Sequence, residues 1–370
     1  MEIVWLIVGA VLLAYANGAN DNFKGVATLF GSGTASYARA LAWTTAATAL
    51  GTVVSLVIAR GLVEAFSGRG VVGAAVAGSP AFLTAVGGGA ALTVLLATAI
   101  GMPTSTTHAL IGAILGSALA SAGGIAWGAV FGRFVTPLVV SPIAAVVLVA
   151  LAYPAAHRLR RRLGFEREMC VCIDGGAPQA VEVAGDGSLV LARSGLTVEL
   201  GDGTSCRQRY RGSVVGIELG ALADGLHFLS AGAVSFSRAV NDSPKLAAIM
   251  LAAPALSAGP ALAVIGGAMI VGGLLHSRGI ARTMGERITE INPGQGLTAN
   301  LATSVLVLGA SRLGLPVSTT HVSNGALFGL GAVNGKMRWR TVSMILVVWV
   351  TTLPAAALLA ASIALLLGGG

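Results

Sequence analysis

Long apolar runs dominate the chain, and short polar breaks interrupt them. The runs 40–59, 83–100, 136–153 and 342–367 are long enough to cross a bilayer, which takes roughly 17–25 helical residues. Two breaks echo each other: Pro103-Thr104-Ser105-Thr106-Thr107-His108 and Pro316-Val317-Ser318-Thr319-Thr320-His321. Each follows an apolar run and a glycine, Gly101 or Gly314, and each leads into another apolar run. Proline removes a backbone donor and clashes with the preceding turn, so neither box suits a continuous lipid-facing helix. Irregular backbone at membrane depth survives only where protein or a wet cavity satisfies it. Two such breaks in matching places point to a transporter's binding site.

A second pair of polar stretches sits upstream of the boxes. Asn17 to Gly25 divides the apolar runs 3–16 and 26–30, and Ser237 to Lys245 divides 219–236 from 246–253. Each is predicted to be one crossing broken in the middle. Two motifs recurring in the same order indicate an internal repeat. The predicted organisation is a first membrane repeat over 1–156, an insert over 157–212 and a second membrane repeat over 213–370. The fold class expected is an all-α polytopic membrane protein. It has two inverted-topology repeats with broken helices and re-entrant hairpins. In the insert, alternation at 180–183 and 189–192 beside Gly-Asp and Asp-Gly turns predicts a small β unit.

Composition agrees with a membrane protein. Of 370 residues, 55% are hydrophobic and only 10% charged, with mean hydropathy +0.84; soluble domains carry about 25% charged residues. The 52 glycines suit closely packed membrane helices. No Lys or Arg precedes the run 3–16, so it is expected to be a retained helix rather than a leader. The net charge of +8 does not imply a nucleic-acid partner, because nine of the 23 basic residues fall between Arg158 and Arg211. A basic flank directly after a membrane run belongs in the cytoplasm. If each box is the tip of a re-entrant hairpin, the insert and the basic loops 278–287 and 336–340 all lie inside. The expected location is the cell (plasma or inner) membrane, with the insert cytoplasmic. Cys170, Cys172 and Cys206 all lie in the insert, where a reducing compartment disfavours a disulfide. Their number and spacing fall short of a zinc site, and no cofactor or resident metal is called for.

The residue types suggest the chemistry. Ser105, Thr106, Thr107, Ser318, Thr319 and Thr320 are expected to open helices, where free N–H groups and the positive dipole end favour an anion. A single box is equally well explained as an ordinary N-cap; two symmetric boxes favour substrate binding. Asp21 and Asp242 are ionisable residues at membrane depth, which default to a functional reading. Lys24 and Lys245 follow them at i,i+3, close enough to pair on a helix. Asn20 and Asn241 are candidate substrate ligands with the two lysines. His108 and His321 are candidates, with the two aspartates, for coupling to a proton. A cation carrier would use Asp21 and Asp242 as ligands, but the lysines repel cations. A membrane-embedded phosphatase would pair His108 or His321 with Asp21 or Asp242. No phosphate loop for ATP-driven transport is present.

Gly18-Ala19-Asn20-Asp21, Val240-Asn241-Asp242, the two Ser-Thr-Thr-His boxes and Met284 to Thr289 together resemble the inorganic phosphate transporter (PiT) family. The resemblance covers both membrane halves and leaves out the insert. It implies a secondary transporter of inorganic phosphate driven by Na⁺ or H⁺; sulfate is the alternative tetrahedral oxyanion. The remaining expected partners are the lipid bilayer and, as one option, a second copy of the chain in a homodimer. Two departures stand out. The family usually has Asn three residues after each Asp, where this chain has Lys24 and Lys245. The family's His-Gly before the second Asn-Asp is replaced by Arg238-Ala239. The expectation is Na⁺-independent transport, coupled to H⁺ or to exchange.

Overall fold

The computed structural model describes residues 2–68, 70–121, 124–164, 216–251 and 257–368, and within the insert 169–174, 182–183, 189–190 and 197–202. Ten helices of 15 or more residues organise these regions. In the order of the chain they are α1 (Glu2–Asp21), α2 (Tyr37–Ile58), α3 (Pro80–Ala99), α4 (Thr106–Ala120) and α5 (Thr136–Arg162). They continue as α6 (Leu219–Leu251), α7 (Ala258–His276), α8 (Pro293–Arg312), α9 (Thr319–Asn334) and α10 (Trp339–Leu366). Seven spans among the described residues are long and apolar enough to cross a membrane, so the protein is a multi-pass membrane protein. Full-length helices follow from the setting, since the bilayer core offers the backbone no other hydrogen-bond partners.

The chain forms two compact units: Met1–Tyr153 with His227–Gly370, and Pro154–Leu226. In the smaller unit β1 (Met169–Asp174) pairs antiparallel with β4 (Thr197–Asp202) and with β5 (Gly216–Glu218). A separate ribbon joins β2 (Glu182–Val183) to β3 (Leu189–Val190). Cys170 and Cys172 lie on β1, whereas Cys206 lies outside the described residues.

In the larger unit α1 packs against α3 and α7, and α4 against α10. These helices approach closely because small residues line their contacts. A side chain at Gly112 would sit 2.2 Å from the Leu353 carbonyl oxygen, and one at Gly116 would sit 2.0 Å from that of Ala357. Both glycines let α4 lie directly on the backbone of α10.

The box-bearing segments are built alike. Helix α3 stops at Gly101 (φ 70°) and α8 at Gly314 (φ 67°), each in the left-handed region that favours glycine. Met102 N–H then donates to Ala97 O and Leu315 N–H to Ala310 O, both at 2.9 Å, closing the helix ends. The chain runs on without helix to Ser105 and Ser318, which cap α4 and α9. Helix α3 has 20 residues, about 30 Å at 1.5 Å per residue, so it is long enough to cross a membrane alone; α4, with 15 residues, is shorter.

Of the upstream stretches, the first is broken as expected and the second is not. After α1 the first tightens into a 3-10 turn, Asn22–Val26, and a short helix, Ala27–Gly31. The second does not break at all: α6 continues through Ser237, Asn241 and Lys245 with Pro244 inside it. Arg238, Asn241, Ser243 and Lys245 find partners outside the helix, while Ser237 Oγ donates back to Ala233 O of the same helix.

Candidate functional site

The upstream stretches and the two boxes meet at one buried centre. Asn20, Asp21, Lys24, Asn241, Asp242 and Lys245 are each no more than 4% exposed. The hydroxyl residues of both boxes are buried with them.

Each Asn locks the box of its own half. Asn20 Nδ2 donates to Met102 O at 3.1 Å and to Thr98 Oγ1 at 2.9 Å, and its Oδ1 accepts from Thr104 N–H at 3.0 Å. Asn241 Nδ2 donates to Val317 O at 3.2 Å, and its Oδ1 accepts from Ser311 Oγ at 3.1 Å. Thr98 and Ser311 both lie five residues before the box proline. A buried backbone group left unpaired is costly, and these amides satisfy carbonyls and an N–H that the helix break exposes.

Each Lys joins the two halves. Lys24 Nζ donates to Thr104 O of its own half at 2.7 Å and to Thr320 Oγ1 of the other at 2.6 Å. Lys245 Nζ donates to Val317 O of its own half at 2.8 Å and to Thr107 Oγ1 of the other at 2.9 Å. The threonines in turn donate across: Thr320 Oγ1 to Thr104 O at 2.7 Å and Thr107 Oγ1 to Val317 O at 3.3 Å. Lys24 is paired with Asp21, and Lys245 lies 3.5 Å from Asp242 Oδ1.

The other candidates have distinct places. Ser105 Oγ accepts from His108 N–H at 3.1 Å and Ser318 Oγ from His321 N–H at 3.2 Å, so both serines serve as caps. Thr106 Oγ1 donates at 3.0 Å to Asp21 Oδ2, on the carboxylate that also pairs with Lys24. Thr319 is buried in the first turn of α9. The His108 and His321 rings lie 4.3 Å apart, and His321 stacks on Trp349 at 3.7 Å. Buried His321 Nε2 has no hydrogen-bond partner.

Two contributors were not among the expected site residues. Arg238 is 1% exposed and donates to Asn17 Oδ1 and Asn22 Oδ1, both at 3.1 Å, and to Thr48 Oγ1 at 2.8 Å. Asn17 Nδ2 donates to Asp21 Oδ2 at 2.9 Å, Thr106 Oγ1 at 3.0 Å and Asp242 Oδ2 at 3.3 Å, touching both halves' aspartates. The signal was available: each residue stands one helical turn before its half's Asp. A cavity of about 530 Å³, lined by Tyr15, Thr98, His276, Arg282 and Arg287 among others, opens beside the first box. It reaches Thr98, the residue that holds Asn20.

Such a centre can hold an anion. It offers ammonium groups, hydroxyls and helix N-termini, all withdrawn from water. The sequence pattern of the Phosphate transporter family matches residues 17–360. A probable low-affinity inorganic phosphate transporter of Mycobacterium tuberculosis is 29% identical over 364 residues, covering 96% of this chain and 75% of that protein. A protein of Pyrococcus horikoshii named as a phosphate permease is 28% identical over 405 residues, covering 96% of each chain. Among solved structures, one titled "The sodium-dependent phosphate transporter" superposes with a TM-score of 0.76 over 99% of both chains at 20% identity, a likeness of fold. These relatives are transporters rather than enzymes. The chain belongs to the Phosphate transporter family.

Proposed function

We propose that this chain carries inorganic phosphate across the membrane as a secondary transporter and does so without sodium. The observation that carries the reading is the placement of the lysine ammonium groups. Each bridges a backbone carbonyl of its own half's box and a threonine hydroxyl of the other half's. A hard cation such as Na⁺ seeks the same kind of oxygens, carboxylate and carbonyl. At each Asp a lysine already supplies the positive charge, which repels a second cation. Opposite unit charges about 4 Å apart attract by about 4 kcal/mol at an effective dielectric of 20, which favours an ammonium beside each Asp.

Phosphate arriving between the boxes takes over the lysine donors and the threonine hydroxyls. The cross-half bonds Lys24–Thr320 and Lys245–Thr107 must then give way, so binding acts directly on the contacts that join the halves. These contacts support Lys24, Lys245, Thr107 and Thr320 as groups that hold the substrate, and Ser105, Thr106, Ser318, Thr319, Asn20 and Asn241 are proposed to complete the site around them. Asp21, Asp242, His108 and His321 are proposed as the groups that couple transport. The paired order of helices, α1–α5 and α6–α10, supports reading the membrane part as two inverted repeats, 1–156 and 213–370. The basic flank Arg158–Arg162 supports a cytoplasmic insert over 157–212.

The deciding experiment is uptake of labelled phosphate by reconstituted protein in sodium and in choline buffer, at matched pH and membrane potential, with sulfate as competitor. Equal uptake in both buffers is expected. A strict sodium requirement overturns the sodium-independent reading, and stronger competition by sulfate than by unlabelled phosphate overturns the substrate.

A further inference from the structure

The buried charges of the centre do not cancel. Among the described residues, the buried carboxylates are Asp21 and Asp242, and the buried Lys and Arg side chains are Lys24, Lys245 and Arg238. Each lysine has its own aspartate. Arg238 has none: its partners are the neutral oxygens of Asn17, Asn22 and Thr48. A guanidinium stays charged in proteins, so the surplus is a full positive charge. Two buried donors beside it also lack an acceptor, Arg238 Nε and Asn22 Nδ2. Asn22 is itself held to Arg238 through its Oδ1 at 3.1 Å. An unpaired buried charge is strongly unfavourable, and an anion bound in the same centre offsets it.

Resting on the phosphate-transport reading above, we propose that this protein is an obligate oxyanion exchanger, with Arg238 as the fixed counter-charge of the bound anion. With a singly charged oxyanion in place the centre is neutral and can be sealed from water on both sides. Without one, sealing strands the Arg238 charge in a medium of low dielectric. The protein therefore reorients loaded and not empty. One anion enters for each anion that leaves.

The test uses purified full-length protein in liposomes, with labelled phosphate outside and either unlabelled phosphate or phosphate-free buffer inside. No sodium is present and the membrane potential is clamped. Uptake is expected to be at least tenfold faster into phosphate-loaded vesicles. Arg238→Gln removes the surplus charge, so it should abolish the dependence on internal phosphate and weaken apparent phosphate affinity at least tenfold. Arg238→Lys retains the charge and should keep the dependence. If Arg238→Gln does not fold, the wild-type comparison decides alone. Equal wild-type uptake into loaded and phosphate-free vesicles overturns exchange and leaves the phosphate reading intact. No uptake into either kind of vesicle overturns both. An Arg238→Gln protein that still requires internal phosphate overturns the role of Arg238.

Discussion

Lys24 donates to Thr320 Oγ1 at 2.6 Å, although 296 positions separate them in the chain. Its counterpart, Lys245 to Thr107 Oγ1 at 2.9 Å, runs in the opposite sense between the halves. The last threonine of each box is therefore the one bound to a lysine, while Thr106 serves Asp21.

This division makes the box threonines unequal. Thr320→Val and Thr107→Val keep the shape and remove the hydroxyl that faces an ammonium. A hydrogen bond to a charged group is worth about 1.5–3 kcal/mol, so apparent phosphate affinity should fall by roughly one to two decades in each. Thr319→Val should fall by less. Concentration dependence of labelled uptake measures all three, and wild-type affinity in both Thr107→Val and Thr320→Val would reduce the boxes to helix caps.

Replacing both lysines should restore room for a cation. Lys24→Asn with Lys245→Asn leaves Asp21 and Asp242 without their ammonium partners beside backbone carbonyls and amide oxygens. Uptake that is sodium-independent in the wild type should become sodium-dependent in the double variant. The comparison is made in sodium and choline at one pH; sodium-independent uptake by the folded double variant would refute the idea.

Asn20 matters for stability as well as for binding. Asn20→Ala leaves the buried Thr104 N–H without its side-chain acceptor and Met102 O without its donor. An unsatisfied buried group costs about 1–3 kcal/mol, so thermal unfolding in detergent should shift to lower temperature. The shift should exceed that of Ser311→Ala, which removes one bond to Asn241 Oδ1. An unchanged midpoint for Asn20→Ala would mean that another group satisfies the break.

Contact between α4 and α10 should not tolerate a side chain. Gly116→Ala would press a methyl group onto Ala357 O at 2.0 Å unless the helices separate. Overpacking of this kind costs typically about 1–3 kcal/mol. A lowered unfolding midpoint is expected for Gly116→Ala and none for Gly309→Ala, where nothing lies within 4 Å. Equal midpoints for the two variants would show that α4 and α10 shift apart freely.

A cytoplasmic insert makes its thiols unreachable from outside. A membrane-impermeant thiol reagent should modify Cys170, Cys172 or Cys206 only after cells are opened. Labelling in intact cells would reverse the topology.

Membrane class and the location of the centre could be read along the chain alone. Apolar length decides what crosses a bilayer, and a proline followed by hydroxyl residues at membrane depth marks where a helix must stop. Both are local properties, so Gly101, Ser105, Gly314 and Ser318 already carry the ends and caps of their helices. The i,i+3 spacing likewise announced the Asp–Lys pairs. Local reading failed at Ser237–Lys245, where polar residues suggested a break and α6 runs through. A polar side chain at membrane depth needs a partner, but sequence does not say whether its own backbone or another helix supplies one. Only the tertiary structure decided that each lysine crosses to the other half's threonine, since those bonds join residues more than a hundred positions apart. It also decided that Arg238 is buried among neutral partners. Charge balance belongs to a volume rather than to a stretch of chain, and five charges drawn from two helices share that volume only once α1 with its 3-10 turn lies against α6.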